Sequence, residues 1–180
     1  MEKNGAGAVA VFGPRDLPGP QAAAFASRLR DRLRELRPSA VYVGGAEGAD
    51  AAGFDVARAV GIPVVVFVPW KDGYRLFGRF RVSFGGSSVV KTGWGSIVAP
   101  PWPEDYWDVA VTVYPALRDR EEGVRALMHR NVAVLKGLPP EFPPPTLAFY
   151  YGGGRGGPGT RHALAVAEYL RVPAVDLSLG

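Results

Sequence analysis

Pro63-Val64-Val65-Val66-Phe67-Val68 is an unbroken apolar run, most of it β-branched. A strand wetted on one face alternates apolar with polar residues. This run has no polar position, so burial on both faces is expected, as in a parallel sheet covered by helices on each side. Two similar runs precede it. Ala8-Val9-Ala10-Val11-Phe12 is closed by Gly13-Pro14, and Ala40-Val41-Tyr42-Val43 ends in Gly44-Gly45. Helical patterns separate them, from about Pro20 to Leu36 and from about Asp50 to Val60, the second stopped by Gly61. Strand and helix in alternation imply right-handed crossovers and an α/β fold with a mostly parallel sheet.

From Trp70 to Asp108 the rhythm breaks. The segment is rich in glycine, arginine and aromatics (Tyr74, Phe77, Phe80, Phe84, Trp94, Trp102, Tyr106, Trp107) and contains no clear helix; Ser87 to Lys91 reads as a short strand. An irregular stretch of this length inside a compact domain usually serves as a lid or an assembly surface. Regular patterning returns with a strand at Val109–Tyr114, a helix from about Asp119 to Lys136 and a strand at Thr146–Tyr150. The glycine turn 152–159, a helix from Thr160 to Leu170 and a last strand at Ala174–Leu177 complete the chain. Residues 1–180 therefore read as one domain with an insertion at about 70–108.

The 180 residues are 47% hydrophobic and 21% charged, the profile of a packed globule. No apolar run reaches the roughly 20 residues of a membrane span, and the first residues do not resemble a signal peptide, so a cytoplasmic protein without membrane contact is expected. There is no cysteine, which excludes disulfides, thiolate metal sites and cysteine nucleophiles. His129 and His162 make no metal pair, so neither a metal nor a resident cofactor is expected. Arginine far outweighs lysine and proline is abundant, a composition that fits a GC-rich, heat-adapted source. The net charge of +4 invites a nucleic-acid reading. Yet the densest charge run, Arg28 to Glu35, mixes both signs behind a stripe of Phe25, Leu29, Leu33 and Leu36, as on the solvated back of an amphipathic helix.

Three strands end in glycine: at Gly13-Pro14-Arg15-Asp16, at Gly44-Gly45-Ala46-Glu47-Gly48-Ala49-Asp50, and at the turn from Gly152 through Gly156, Gly157 and Gly159 to Thr160. In a parallel sheet all three fall on the carboxyl edge, where open α/β sheets bind ligands. Glycine lets backbone N–H groups approach an anion, and a following helix adds its positive end. Neither a dinucleotide-binding G-x-G-x-x-G nor a P-loop lysine is present. On the helix 119–136, Asn131 shares the apolar face of Val124, Leu127, Met128, Val134 and Leu135, and Arg130 lies at its flank, placed to fork onto phosphate or to remain at the surface. Thr160 and Asp50 read as helix N-caps, and Thr160 can also meet a phosphate. His129 is expected to face solvent. Glu47 is the carboxylate within a glycine turn, either binding a ribose hydroxyl or solvated.

The motifs Val-Phe-Gly-Pro-Arg-Asp (11–16), Gly-Gly-Ala-Glu-Gly-Ala-Asp (44–50), Arg130-Asn131 and Gly-Gly-Pro-Gly-Thr (156–160) together resemble the SLOG superfamily. That group unites DNA-processing protein A, the "lonely guy" lysine-decarboxylase-like proteins and the YspA-like domains. The resemblance spans nearly the whole chain except the insertion. It implies a Rossmann-like three-layer sandwich that binds a nucleotide or phosphorylated derivative, often as a homodimer or larger assembly. The matched positions are Gly13, Arg15, Gly44, Gly45, Asp50, Arg130, Asn131, Gly157, Gly159 and Thr160.

One departure bears on activity. "Lonely guy" phosphoribohydrolases carry a catalytic glutamate after the glycine-threonine turn, where this chain has Ala163. The leading expectation is therefore a nucleotide-binding or sensing module. A second is an N-glycosidic hydrolase of nucleoside monophosphates in which another carboxylate, such as Glu47, substitutes. The third is single-stranded DNA binding by the arginines and aromatics of the insertion.

Overall fold

The computed structural model describes residues 6–153 and 157–178. Seven strands form one sheet: β1 (Val9–Phe12), β2 (Val41–Val43), β3 (Val64–Phe67), β6 (Val89–Thr92), β7 (Gly95–Val98), β8 (Leu147–Tyr150) and β9 (Ala174–Asp176). A separate short hairpin pairs β4 (Arg75–Leu76) with β5 (Phe80–Arg81). The sheet runs in the order β6-β7-β3-β2-β1-β8-β9. Every pairing in it is parallel except that of β6 with β7.

Alternation along the strands divides the core in two. Val9, Val11, Val41, Val43, Val64 and Val66 pack with Phe25, Leu29 and Leu33 of α1 (Gly19–Leu36) and with Phe54, Val56 and Ala57 of α2 (Ala49–Ala59). Ala10, Phe12, Tyr42, Val65 and Phe67 point the other way. They meet α3 (Glu104–Val113), α4 (Glu122–Lys136) and α5 (Pro158–Tyr169). Helices thus cover both faces of a mostly parallel sheet, the three-layer Rossmann-like architecture that the run at 63–68 implies. No helix of the described residues is long and apolar enough to cross a membrane.

Two elements differ from the sequence reading. Val109 to Tyr114 is no strand; it lies within and just beyond α3. Its valines suit a strand by propensity, but Pro103 at the helix entrance and Glu104 and Asp105 in the first turn favour a helix. Tyr106, Val109 and Ala110 then fall on one helical face, buried against α4 and α5. Packing overrides propensity here. The strand expected at 109–114 is supplied instead by β7, from within the insertion, which pairs with β3 from Val64↔Gly95 to Phe67↔Val98.

Gly95 makes that pairing feasible. Its φ is +151°, and a Cβ there would land on the Val64 carbonyl. Gly95→Ala is expected to cost about 2–3 kcal/mol and to lower Tm by roughly 5–10 °C in thermal denaturation.

Candidate functional site

Because β1, β2 and β8 are mutually parallel, Gly13, Gly44 and Gly152 emerge on one edge of the sheet. The first two turns pack directly together. Ala49 N–H donates to the Pro14 carbonyl at 3.1 Å, and Gly48, at φ +72°, has no room for a side chain above the Pro14–Arg15 backbone. Gly13 is crowded likewise, since a Cβ there would stand 2.7 Å from the Ala49 methyl.

The gap beside β2 is occupied by protein. Arg130 reaches in from α4, 7% exposed, and its guanidinium donates to the Gly44 carbonyl. A Cβ on Gly44 would meet that guanidinium at 2.6 Å and the Asp50 carboxylate at 2.9 Å. Glycine at 44 therefore makes room for a guanidinium. The sequence placed Arg130 at the flank of its helix, but α4 is buried at Met128 and from Val132 to Leu135, and the Arg130 side chain is buried with them. Its Nε is buried without a hydrogen-bond partner.

Asp50 is not an N-cap. α2 is capped at Gly48, and the Asp50 carboxylate turns back to accept the Ala46 N–H at 3.1 Å. Burial pushes its carboxyl up to about 6, against the pull of Arg130, of backbone N–H groups and of the exposed Arg15. Stability carried by the protonated carboxyl is present below the ordinary value of 3.8 and lost as pH rises through about 6. Asp50→Asn removes that titration. The Tm of the wild type relative to this variant is expected to fall by several degrees between about pH 4 and pH 7, which a series of melting curves reads directly.

The insertion covers this end of the edge. Phe77 N–H donates to the Gly45 carbonyl at 2.7 Å, and the Phe77 ring packs 4.7 Å from Phe54. Phe77 sits at φ +53°, a conformation that its contacts have to hold. Tyr74 brings its hydroxyl beside Arg130 and its ring against Gly45. Glu47 is exposed and lies against Gly78, away from Ala163. The carboxylate that shares a small cavity with Ala163 and Asn131 is that of Asp50; the cavity holds about 20 Å³, room for one water.

Asn131 joins α4 to the start of α5. Its Nδ2 donates to the Gly159 carbonyl at 3.3 Å and stands 3.2 Å from His162 Nδ1. His162, whose Nε2 is 3.2 Å from the Ala110 carbonyl, is thereby assigned as the neutral Nε2–H tautomer, with Nδ1 accepting. Burial holds its pKa below 6.5. His129 also departs from expectation, packing edge-on to Trp107 at 5.5 Å. Asn131→Asp sets an acceptor against Nδ1. It is expected to raise the His162 pKa in an NMR titration and to cost about 1–3 kcal/mol at neutral pH.

α5 opens at Gly157, its N-cap, so Thr160 is the third helical residue and buried, not the cap. No acidic residue lies in this first turn, and the exposed Arg161 follows. Side chains added at Gly157 or Gly159 would meet nothing within 4 Å among the described residues. Gly156 lies outside the described residues.

One feature of the edge was not foreseen. Pro14, Asp16, Leu17, Pro18, Gln21, Tyr151 and Gly153 enclose a groove of about 470 Å³ between the loops that follow β1 and β8. The signal was present in the strand order, since β1 has β2 on one side and β8 on the other, and ligand crevices open where the order reverses.

The edge and its covering hairpin define a Rossmann-like α/β domain with a partly capped carboxyl crevice. No family model matches the chain, and no curated protein matches it. Among solved structures it is similar to DNA processing protein A (DprA) from Streptococcus pneumoniae, with 14% identity and a TM-score of 0.42. The match covers 94% of this chain and 58% of that one, so the chain spans little more than half the length of DprA.

Proposed function

We propose that this domain binds a nucleotide or phosphorylated nucleotide derivative, with a phosphate seated on the first turn of α5. The reading rests on the opening of that helix. Among the described residues nothing fills the space where side chains on Gly157 and Gly159 would stand, and the first turn carries no acid. The first-turn N–H groups of Gly159 and Thr160 and the positive helix end suit a phosphate. Asn131, bonded to the Gly159 carbonyl, and the buried Thr160 hold the turn in place. The domain acts as a binding or sensing module, because the hydrolase glutamate is replaced by Ala163.

Gly159→Glu separates binding from stability. A helix gains from glutamate in place of glycine, and from an acid in its first turn, so the variant is expected to melt no lower than wild type. The same carboxylate repels a phosphate. Calorimetry with AMP, ADP, ATP, cyclic nucleotides and ADP-ribose is expected to find a ligand whose affinity drops at least tenfold in the variant. Silence across the panel with folded protein, or an affinity that Gly159→Glu leaves unchanged, would overturn the reading. Release of free base during the titration would point instead to hydrolysis.

A further inference from the structure

We infer that the groove between the β1 and β8 loops takes the base of that nucleotide, and selects a base carrying an exocyclic amino group. The inference deepens the proposed function and rests on its phosphate site.

The groove has the volume of a small-ligand pocket, about 470 Å³, and it opens where the strand order reverses. Its walls are apolar and firmly held. Pro14 is fixed by the Ala49 N–H, and the Pro18 carbonyl accepts the Ala22 N–H at 2.8 Å at the start of α1. The Tyr151 ring stands edge-on to buried Phe25 at 5.9 Å. A flat aromatic ring lies well between walls of proline, leucine and tyrosine.

The polar lining decides which ring. Among the described residues no lysine or arginine lines the groove, and the Asp16 carboxylate there repels a phosphate. Asp16 and Gln21 do line it, both exposed, and Asp16 has no ion-pair or hydrogen-bond partner among the described residues. An ionised carboxylate only accepts hydrogen bonds, and an amide both donates and accepts. Together they match an amino group next to a ring nitrogen, the edge that adenine presents. A base with a carbonyl in place of the amino group would set acceptor against acceptor, which is how a site rejects a near-isostere. The phosphate site is within reach. Gly153 borders the groove and Gly157 caps α5, four Cα steps apart and so at most about 15 Å.

The test is calorimetry with AMP, IMP, adenosine and pyrophosphate, on wild type and on Asp16→Ala. Asp16 is exposed, so the variant is expected to keep the wild-type Tm. AMP is expected to bind at least tenfold tighter than IMP. In Asp16→Ala that ratio should shrink to within threefold, with pyrophosphate affinity unchanged. Equal affinity for AMP and IMP in wild type, or a ratio that survives Asp16→Ala, overturns the base site while leaving the phosphate site standing. Adenosine binding as tightly as AMP, with pyrophosphate silent and the Asp16 effect intact, supports the groove and overturns the phosphate site. Silence from all four ligands overturns the base site, and the phosphate site with it where ADP, ATP, cyclic nucleotides and ADP-ribose are silent too.

Discussion

A sheet whose central strands are apolar on both faces must be covered twice, and most of this molecule follows from that requirement. Val64 and Val66 face one way and Val65 and Phe67 the other, each set inside its own core. The chain meets the demand by crossing over between successive parallel strands, with α1 and α2 on one side and α3, α4 and α5 on the other. Parallel strands joined in this way bring all their carboxyl ends to one edge. The glycine turns meet because the core requires it.

At that edge, two kinds of glycine behave differently. Gly13, Gly44 and Gly48 are crowded, and the missing side chains admit neighbouring backbone, a methyl group or the Arg130 guanidinium. Gly157 and Gly159 face open space among the described residues. A sequence cannot separate the two kinds, because both are written with the same residue. The tightest crowding at Gly44 comes from a side chain 86 positions away, which the local sequence does not announce. The same distance in sequence hid the depth of Arg130, which lies in the buried second half of its helix.

Where local pattern and tertiary packing agree, the sequence was readable. The runs at 8–12, 40–43 and 63–68 became β1, β2 and β3, and the stripe of Phe25, Leu29 and Leu33 became the inner face of α1. Where they disagree, it misled. Val109 to Val113 has strand composition inside a helix, and Gly95 to Val98, with only two large apolar residues, gives little sign of the strand it forms. Asp50 and Thr160 are residues that cap helices well, yet each sits one or more positions inside its helix. Glycine holds the cap in both cases. The groove at Asp16 and Tyr151 was implicit in the strand order but joins residues too distant in sequence to be paired by eye.

The antiparallel strand β6 has a consequence for how copies of this molecule can meet. It ends the sheet on one side with four residues that include Lys91, whose ammonium is engaged by Glu141, and β9 ends the other side with three. Short borders, each carrying one charged residue, Lys91 on β6 and Asp176 on β9, are poor templates for a neighbouring chain to extend the sheet. Self-association by strand addition is therefore disfavoured at both flanks of the seven-stranded sheet, which leaves its helices, its loops and the β4–β5 hairpin as the surfaces through which copies can meet.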